Sequence, residues 1–327
     1  MTKRMKTAIK FLPIPFLLLL FLLFLLFFKR AGFERISCPI PLKQLALYSG
    51  GTAWGLSLEN EVLYSTKGLE EFQPVKTLDM QNPSSDGFTN AVFWDEQTAY
   101  ISYFSSDNEH LLIEATHDGG ITWRQTLLNY DNETCDAVSV FLCFEDSAHG
   151  YLLHCSTPAA GQMKKMLYYT DNAGKTYTFL KDLTDIIAGY PQGITAVKDS
   201  TIQIAVTYHG TDNYLYQSLD NANSWEPVEI FPQSDHVGYV DGFVPVYSKN
   251  NPQNAMILLK VVNETAAYRL YVTKDGGEHW NFDSEVPCEN VRSIYLGDDQ
   301  TIYHGYGGEC IPKISIYCLF PLYGSRV

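Results

Sequence analysis

Ten consecutive residues, SDHVGYVDGF from Ser234 to Phe243, bring Asp235, His236, Tyr239 and Asp241 together. Side chains of these types ligate metals, move protons or hold polar ligands. Other segments rich in turn-forming residues carry the carboxylates Asp86, Asp131 and Asp136 and the rings Tyr190 and Tyr306. Two carboxylates about 5 to 9.5 Å apart across a cleft, one kept protonated by burial, are what glycoside hydrolysis requires. Asp86, Asp131, Asp235 and Asp241 are therefore the candidate catalytic residues, and His236, Tyr239, Tyr190, Tyr306 and Arg292 the candidate binding residues. Spacing does not say which pair would converge, and the loops of an acidic chain supply solvated carboxylates in any case. No Ser-His-Asp, phosphate-loop or dinucleotide signature accompanies them, so no cofactor is expected.

The elements that must hold these loops recur. THDGGITW, from Thr116 to Trp123, returns as TKDGGEHW, from Thr273 to Trp280. Softened copies read TDNAGKTY from Thr170 and SLDNANSW from Ser218, and a worn one reads STKGLEEF from Ser65. The starts at 65, 116, 170, 218 and 273 lie 51, 54, 48 and 55 residues apart, the length of one four-stranded propeller blade with its loops. Each copy follows an apolar alternating run such as LLIEAT or YRLYVT and leads into a segment such as WRQTLL, the pattern of a hairpin between two strands. Two more strand-like stretches separate successive copies, so every unit reads strand, strand, strand, turn, strand.

A sixth unit, NVRSIYLG, TIYHGYG and KISIYCLF, is followed only by PLYGSRV, too short and Pro-broken for a fourth strand. The segment around ERISCPI is expected to supply that strand and close a ring, bringing Cys38 towards Cys310 or Cys318.

Within the turns, Gly120 and Gly277 are expected in the left-handed conformation that costs a glycine nothing, with Gly174 at the matching position. Asp118, Asn172, Asp220 and Asp275 are placed to accept hydrogen bonds from turn amides, and Trp123, Tyr177, Trp225 and Trp280 to bury a ring beside the hairpin. The pattern S/T-x-D-x-G-x-T-W resembles the Asp-box, or bacterial neuraminidase repeat, of sialidase-like β-propellers, through spacing that covers about residues 42 to 325. That resemblance implies an all-β, six-bladed β-propeller whose Asp-box residues are structural and lie away from the ligand face. For a sialidase it would also imply three arginines around a substrate carboxylate, and here the pattern fails. Beyond residue 30 the arginines are Arg35, Arg124, Arg269, Arg292 and Arg326; Arg124 follows a turn tryptophan and is expected on an outer strand, facing solvent, and ERISC is a poor copy of the early F/Y-R-I-P motif. A propeller resembling photosystem II assembly factors is a third class, and it lacks the basic patches those would bring.

Residues 11–28, FLPIPFLLLLFLLFLLFF, carry no charge and are long enough to cross a hydrocarbon core. Lys3, Arg4, Lys6 and Lys10 precede the run, and KRAGFERIS after it offers no small-residue cleavage site, so an uncleaved signal-anchor with a cytoplasmic tail is expected. The expected organisation is a basic tail at 1–10, a transmembrane anchor at 11–28, a stalk or ring-closing segment at 29–41 and the propeller at 42–327.

The net charge is −14, and residues 1–35 hold seven basic side chains against one acidic, which leaves −20 on the remainder. Such a domain repels phosphate backbones, so no nucleic acid partner is expected, and anionic headgroups would be repelled as well. Seven cysteines, Cys38, Cys135, Cys143, Cys155, Cys288, Cys310 and Cys318, suit an oxidising compartment and form no CxxC, so no metal is expected. Asn132 and Asn263 begin glycosylation sequons. The sum is a membrane-anchored extracytoplasmic propeller binding a protein or glycan at its top face, with a degenerate sialidase-like or other glycoside hydrolase as the alternative.

Overall fold

The computed structural model describes residues 33–38, 40–48, 50–80, 89–105, 110–128, 137–158, 163–197, 201–207, 214–230, 239–262, 266–286, 291–296, 302–306 and 314–319. Their strands pair antiparallel into separate sheets, each formed by successive segments of chain. After β1 (Phe33–Cys38), sheet 1 is β2 (Leu42–Leu47), β3 (Ala53–Ser57), β4 (Glu61–Ser65) and β5 (Gln73–Thr77). Sheet 2 is β6 (Thr89–Phe93), β7 (Ala99–Phe104), β8 (Leu111–Thr116) and β9 (Arg124–Leu128). Sheet 3 is β10 (Ala137–Phe144), β11 (Gly150–Ser156), β12 (Lys165–Thr170) and β13 (Thr178–Asp182). Sheet 4 is β14 (Tyr190–Val197), β15 (Thr201–Thr207), β16 (Leu215–Ser218) and β17 (Glu226–Val228).

Sheet 5 departs from the expected run of six alike four-stranded units. Its first strand is split into β18 (Tyr239–Gly242) and β19 (Val246–Tyr247), both pairing with β20 (Ala255–Val262), ahead of β21 (Ala266–Thr273) and β22 (Asn281–Val286). Five sheets keep the regular four-stranded form, and this one has five strands. The last sheet is β23 (Val291–Leu296), β24 (Ile302–Tyr306) and β25 (Ile314–Leu319), with β1 as its outer strand.

β1 runs antiparallel to β25, from Phe33 opposite Leu319 to Cys38 opposite Ile314. The same register sets Cys318 opposite Glu34, four residues along the strand from Cys38, or about 13 Å. A disulfide spans Cα atoms no more than about 7 Å apart, so the expected link from Cys38 to Cys318 is excluded; Cys310 lies outside the described residues. Cys143 and Cys155 are free thiols buried in the core between sheets 3 and 4. Burial pushes both up, Cys155 to about 12.

First strands of neighbouring sheets touch around the ring, β2 with β6, β6 with β10 and β10 with β14, while β15 meets β18, β19 meets β23 and β23 returns to β2. Burial follows from this radial stacking. The second strands β3 and β7 are buried throughout, whereas the outer strand β13 is exposed along most of its length. Trp54 shows the packing between sheets: fully buried, it lies parallel to Phe93 with centroids 5.8 Å apart and donates from Nε1 to Asp95 O at 3.0 Å. Such a ring contributes burial and a satisfied donor together.

The repeated octets are the hairpins between third and fourth strands. Thr116 Oγ1 donates to Asp118 Oδ1 at 2.9 Å and accepts from Gly120 N at 3.0 Å, while Asp118 accepts from Thr122 N and Thr122 Oγ1 at 2.9 and 2.6 Å. Ser218, Asp220 and Ser224 repeat the arrangement, as do Thr273, Asp275 and His279, with His279 Nδ1 in place of the hydroxyl. Gly120 and Gly277 have φ of 85° and 99°, and the residue before each is also left-handed.

The turns also join neighbouring sheets. Arg124 Nη2 and Thr126 Oγ1 of sheet 2 donate to Ala173 O and Gly174 O of sheet 3 at 2.7 and 2.8 Å. Arg124, expected to face solvent, is therefore half-buried and spent on a brace. Between sheets 1 and 2 the buried Glu114 takes Lys76 Nζ at 3.1 Å and Gln125 Nε2 at 3.0 Å.

Candidate functional site

A cavity of about 640 Å3 lies where the first strands converge, within the usual range for small-ligand sites. Its lining includes residues from the first halves of β2, β6, β10 and β14, which places the cavity at the end of the ring opposite the octet turns. Four first strands carry a β-bulge there: one residue drops out of register at Lys43 in β2, at Val138 in β10, at Gln192 in β14 and at Arg292 in β23. Bulges re-aim side chains, and Lys43 and Gln192 both line the cavity.

Amide side chains tie the wall together. Gln44 spans the edge of β6, donating to Ala91 O at 3.2 Å and accepting from Ala91 N at 2.7 Å, and Asn90 Oδ1 accepts from Leu142 N of β10 at 2.8 Å. Strand edges facing a channel hold backbone groups that need partners, and these two side chains supply them. Lys43, nearly buried, donates from Nζ to Asn60 Oδ1 at 2.8 Å. At the other end of the ring Lys249 of sheet 5 sits 4.1 Å over the ring of Trp94 of sheet 2. Sheets 2 and 5 are opposite each other, so this cation–π contact crosses the axis and the cavity is a cup with a floor.

Of the candidate residues, Asp241 lines the cup. Its Oδ1 accepts from Thr207 Oγ1 at 3.1 Å and from Gly242 N at 2.8 Å. Tyr190 begins β14 and its half-buried ring packs against the core between sheets 3 and 4. Tyr239 stands opposite Val262, Tyr306 opposite Val291 and Ser315, and Arg292 at the bulge of β23. Asp86, Asp131, Asp136, Asp235 and His236 lie outside the described residues, as do both sequons and the apolar run 11–28. Among the described residues no helix is long and apolar enough to cross a membrane. Arg269 reaches Glu285 of the outer strand at 3.6 Å.

The cup residues that loop-centred reasoning missed are Lys43, Gln192, Lys260 and Tyr268, all on strands. A signal was available: Lys43 in LKQLAL and Lys260 in AMILLKVV are lone charges in apolar strands, which need a partner or an opening. His154, buried in β11, is held down to about 4 by burial alone, and burial also lowers Lys165, whose Nζ donates to Met163 O at 3.0 Å. Asp275, Glu278 and His279 come within metal-ligating distance of one another, but His279 there serves the octet turn in the place of Thr122 and Ser224.

No family model matches the sequence. No curated protein is similar to it in sequence. Solved structures do match in fold. An α-L-arabinofuranosidase from Fusarium graminearum, in complex with an iminosugar inhibitor, superposes with a TM-score of 0.56 at 14% identity, covering 87% of this chain and 98% of that one. YCF48 bound to D1 peptide gives 0.47 at 13% identity over 90% and 96%. A GH74 xyloglucanase from Xanthomonas campestris gives 0.49 at 10% over 84% of this chain and 52%, about half, of that one. The chain has the β-propeller fold, and identities this low carry the fold alone.

Proposed function

We propose that the chain is a single-pass membrane protein whose six-bladed, extracytoplasmic propeller, built on Asp-box turns like those of sialidase-like propellers, binds a protein or glycan in the cup without transforming it. The observation that carries this reading is the cup's inventory. Among the described lining residues Asp241 is the one carboxylate, and its Oδ1 is already held by a threonine hydroxyl and a backbone amide. Glycoside hydrolysis needs a second carboxylate across the cleft. A neighbour of similar fold is an α-L-arabinofuranosidase held with an iminosugar inhibitor, which is compatible with a glycan ligand. The apolar run 11–28 with its basic flanks supports the anchor.

The test uses the full-length chain in mild detergent against arrays of glycans and peptides, beside hydrolysis assays on aryl glycosides. Binding without turnover is the expected result. Turnover that disappears in Asp241→Asn would establish the hydrolase instead. Resistance of the chain to alkaline carbonate extraction tests the anchor, and release of a shortened chain from cells would remove it.

A further inference from the structure

Sheets 1 to 4 reach the cup with first-strand residues only. Sheet 5 does not. Lys260 of β20 and Tyr268 of β21 join the lining beside Asp241, just ahead of the break between β18 and β19. Asp241, Lys260 and Tyr268 stand opposite one another in register, forming one row across three strands.

A carboxylate and an ammonium directly opposite on paired strands ordinarily meet. Here no contact within 4.0 Å joins Asp241 to Lys260. Asp241 is turned aside by its Oδ1 bonds to Thr207 Oγ1 and Gly242 N. Its Oδ2 and Lys260 Nζ are thus left as an acceptor and a cationic donor, side by side on one wall. Lys43, on the wall of sheet 1, makes the described lining net positive, with two ammonium groups against one carboxylate, inside a domain whose remainder is acidic. The acidic shell discourages polyanions from approaching, while the cup itself favours a compact anion.

We propose that this row is a subsite for a carboxylate bearing a neighbouring O–H or N–H donor, an α-hydroxy or α-acylamino acid group. Lys260 takes the carboxylate as a charge-assisted hydrogen bond, Asp241 Oδ2 accepts the neighbouring donor, and Tyr268 backs the row. The donor is required because a bare carboxylate would meet Asp241 with no compensating bond. This inference rests on the cup being the ligand site, and it names the chemical group taken there.

Calorimetric titration of the full-length chain with glycolate, N-acetylglycine and gluconate tests it, with propionate as the acid lacking a donor and glycolamide as the uncharged isostere. The three donor-bearing acids are expected to bind about tenfold or more tightly than either control. Lys260→Met should remove that binding by about tenfold or more, Lys260→Arg should retain most of it, and Asp241→Ala should erase the advantage of glycolate over propionate. A preference for N-acetylglycine points to a peptide end and one for gluconate to an acidic sugar; either supports the subsite. Equal binding of glycolamide, unchanged binding in a Lys260→Met protein that melts like the parent, or no binding of any acid at millimolar concentration overturns it. Failure to find a macromolecular ligand would count against the proposed function and leave the acid-over-amide comparison standing.

Discussion

Asp118 and Asp220 are each held down to about 2, first by the hydroxyl of Thr122 or Ser224 and then by the backbone N–H of the same residue. The pKa is lower folded than unfolded, where an aspartate sits near 3.9. Their stabilisation is therefore complete above about pH 4 and lost as pH falls towards about 2. Asn172 makes the same bonds with one reversed, its Nδ2 donating to Thr176 Oγ1 at 2.8 Å, so the hairpin of sheet 3 has no such titration. An amide exchange series from pH 5 to 2 should show the hairpins of sheets 2 and 4 loosening before that of sheet 3, and simultaneous loosening would refute the assignment. The worn copy keeps its brace with the polarity inverted: Lys67 takes the place of Asp118 and meets Glu71, in the place of Thr122, at 2.7 Å. The repeat and its glycines were legible because Asp-Gly-Gly advertises a turn. The second left-handed residue was not, because Ala173, Asn221 and Ala222 hold φ of 58°, 57° and 65° without a glycine to signal it. A left-handed alanine costs about 1 to 2 kcal/mol, and a glycine's greater freedom when unfolded costs about 0.4 to 1. Ala173→Gly should accordingly raise stability by up to about 1 kcal/mol in denaturant melts, the reverse of a glycine placed within a strand.

At the scale of the element, the cup depends on the broken first strand of sheet 5, and Gly242 makes the break. Its φ is 143°, and a Cβ there would lie 2.5 Å from Leu258 O, a backbone atom that cannot swing away. Gly68, with φ 65° and open space around it, is the matched control. Gly68→Ala should cost about 1 kcal/mol and leave the cup intact, whereas Gly242→Ala should cost about 3 kcal/mol or more and weaken ligand binding, since strain and a backbone clash add. Equal losses in chemical denaturation would show that the break does not need its glycine. The units themselves were readable because each carries strand-period alternation closed by a turn, but the break was not, although Gly242 and Pro245 within a single stretch are the sequence marks of an interrupted strand. Placing site residues only in loops followed from the same oversight. Strand lysines can line a ring's axis when a bulge or a gap turns them inward. Trp54, which no repeat or motif marks in the sequence, bridges two sheets; Trp54→Ala should cost about 3 to 5 kcal/mol, more than Trp280→Ala, whose ring is half-buried.

For the whole molecule the decisive element is the shortest in sequence from the apolar run. β1 stands where an octet turn would deliver a fourth strand, so Phe33 begins at the end of the ring bearing those turns, and the cup opens at the opposite end. If residues 11–28 anchor the chain, four residues separate the anchor from β1, a reach of about 14 Å. The anchor would then hold the turn-bearing end near the bilayer and leave the cup facing away from it. Within the segment 29–41, Phe33–Cys38 is a structural strand, and its removal should open the ring. A chain beginning at Ala31 keeps all six β1 residues opposite β25; one beginning at Ser37 keeps two and uncovers Ile316, Tyr317, Cys318 and Leu319, the partners of Ile36, Arg35, Glu34 and Phe33. Bare edge strands recruit other chains, and loss of the closing pairs throws the joint between the first and last sheets onto the contacts of β23 and β24 with β2. The Ala31 chain is expected to be monomeric by size exclusion with one cooperative calorimetric transition. The Ser37 chain should melt lower, in a broader transition, and associate as concentration rises. Matching melting and monomeric behaviour of the two chains would mean that β1 does not close the ring, and the inferred orientation of the cup would fall with it.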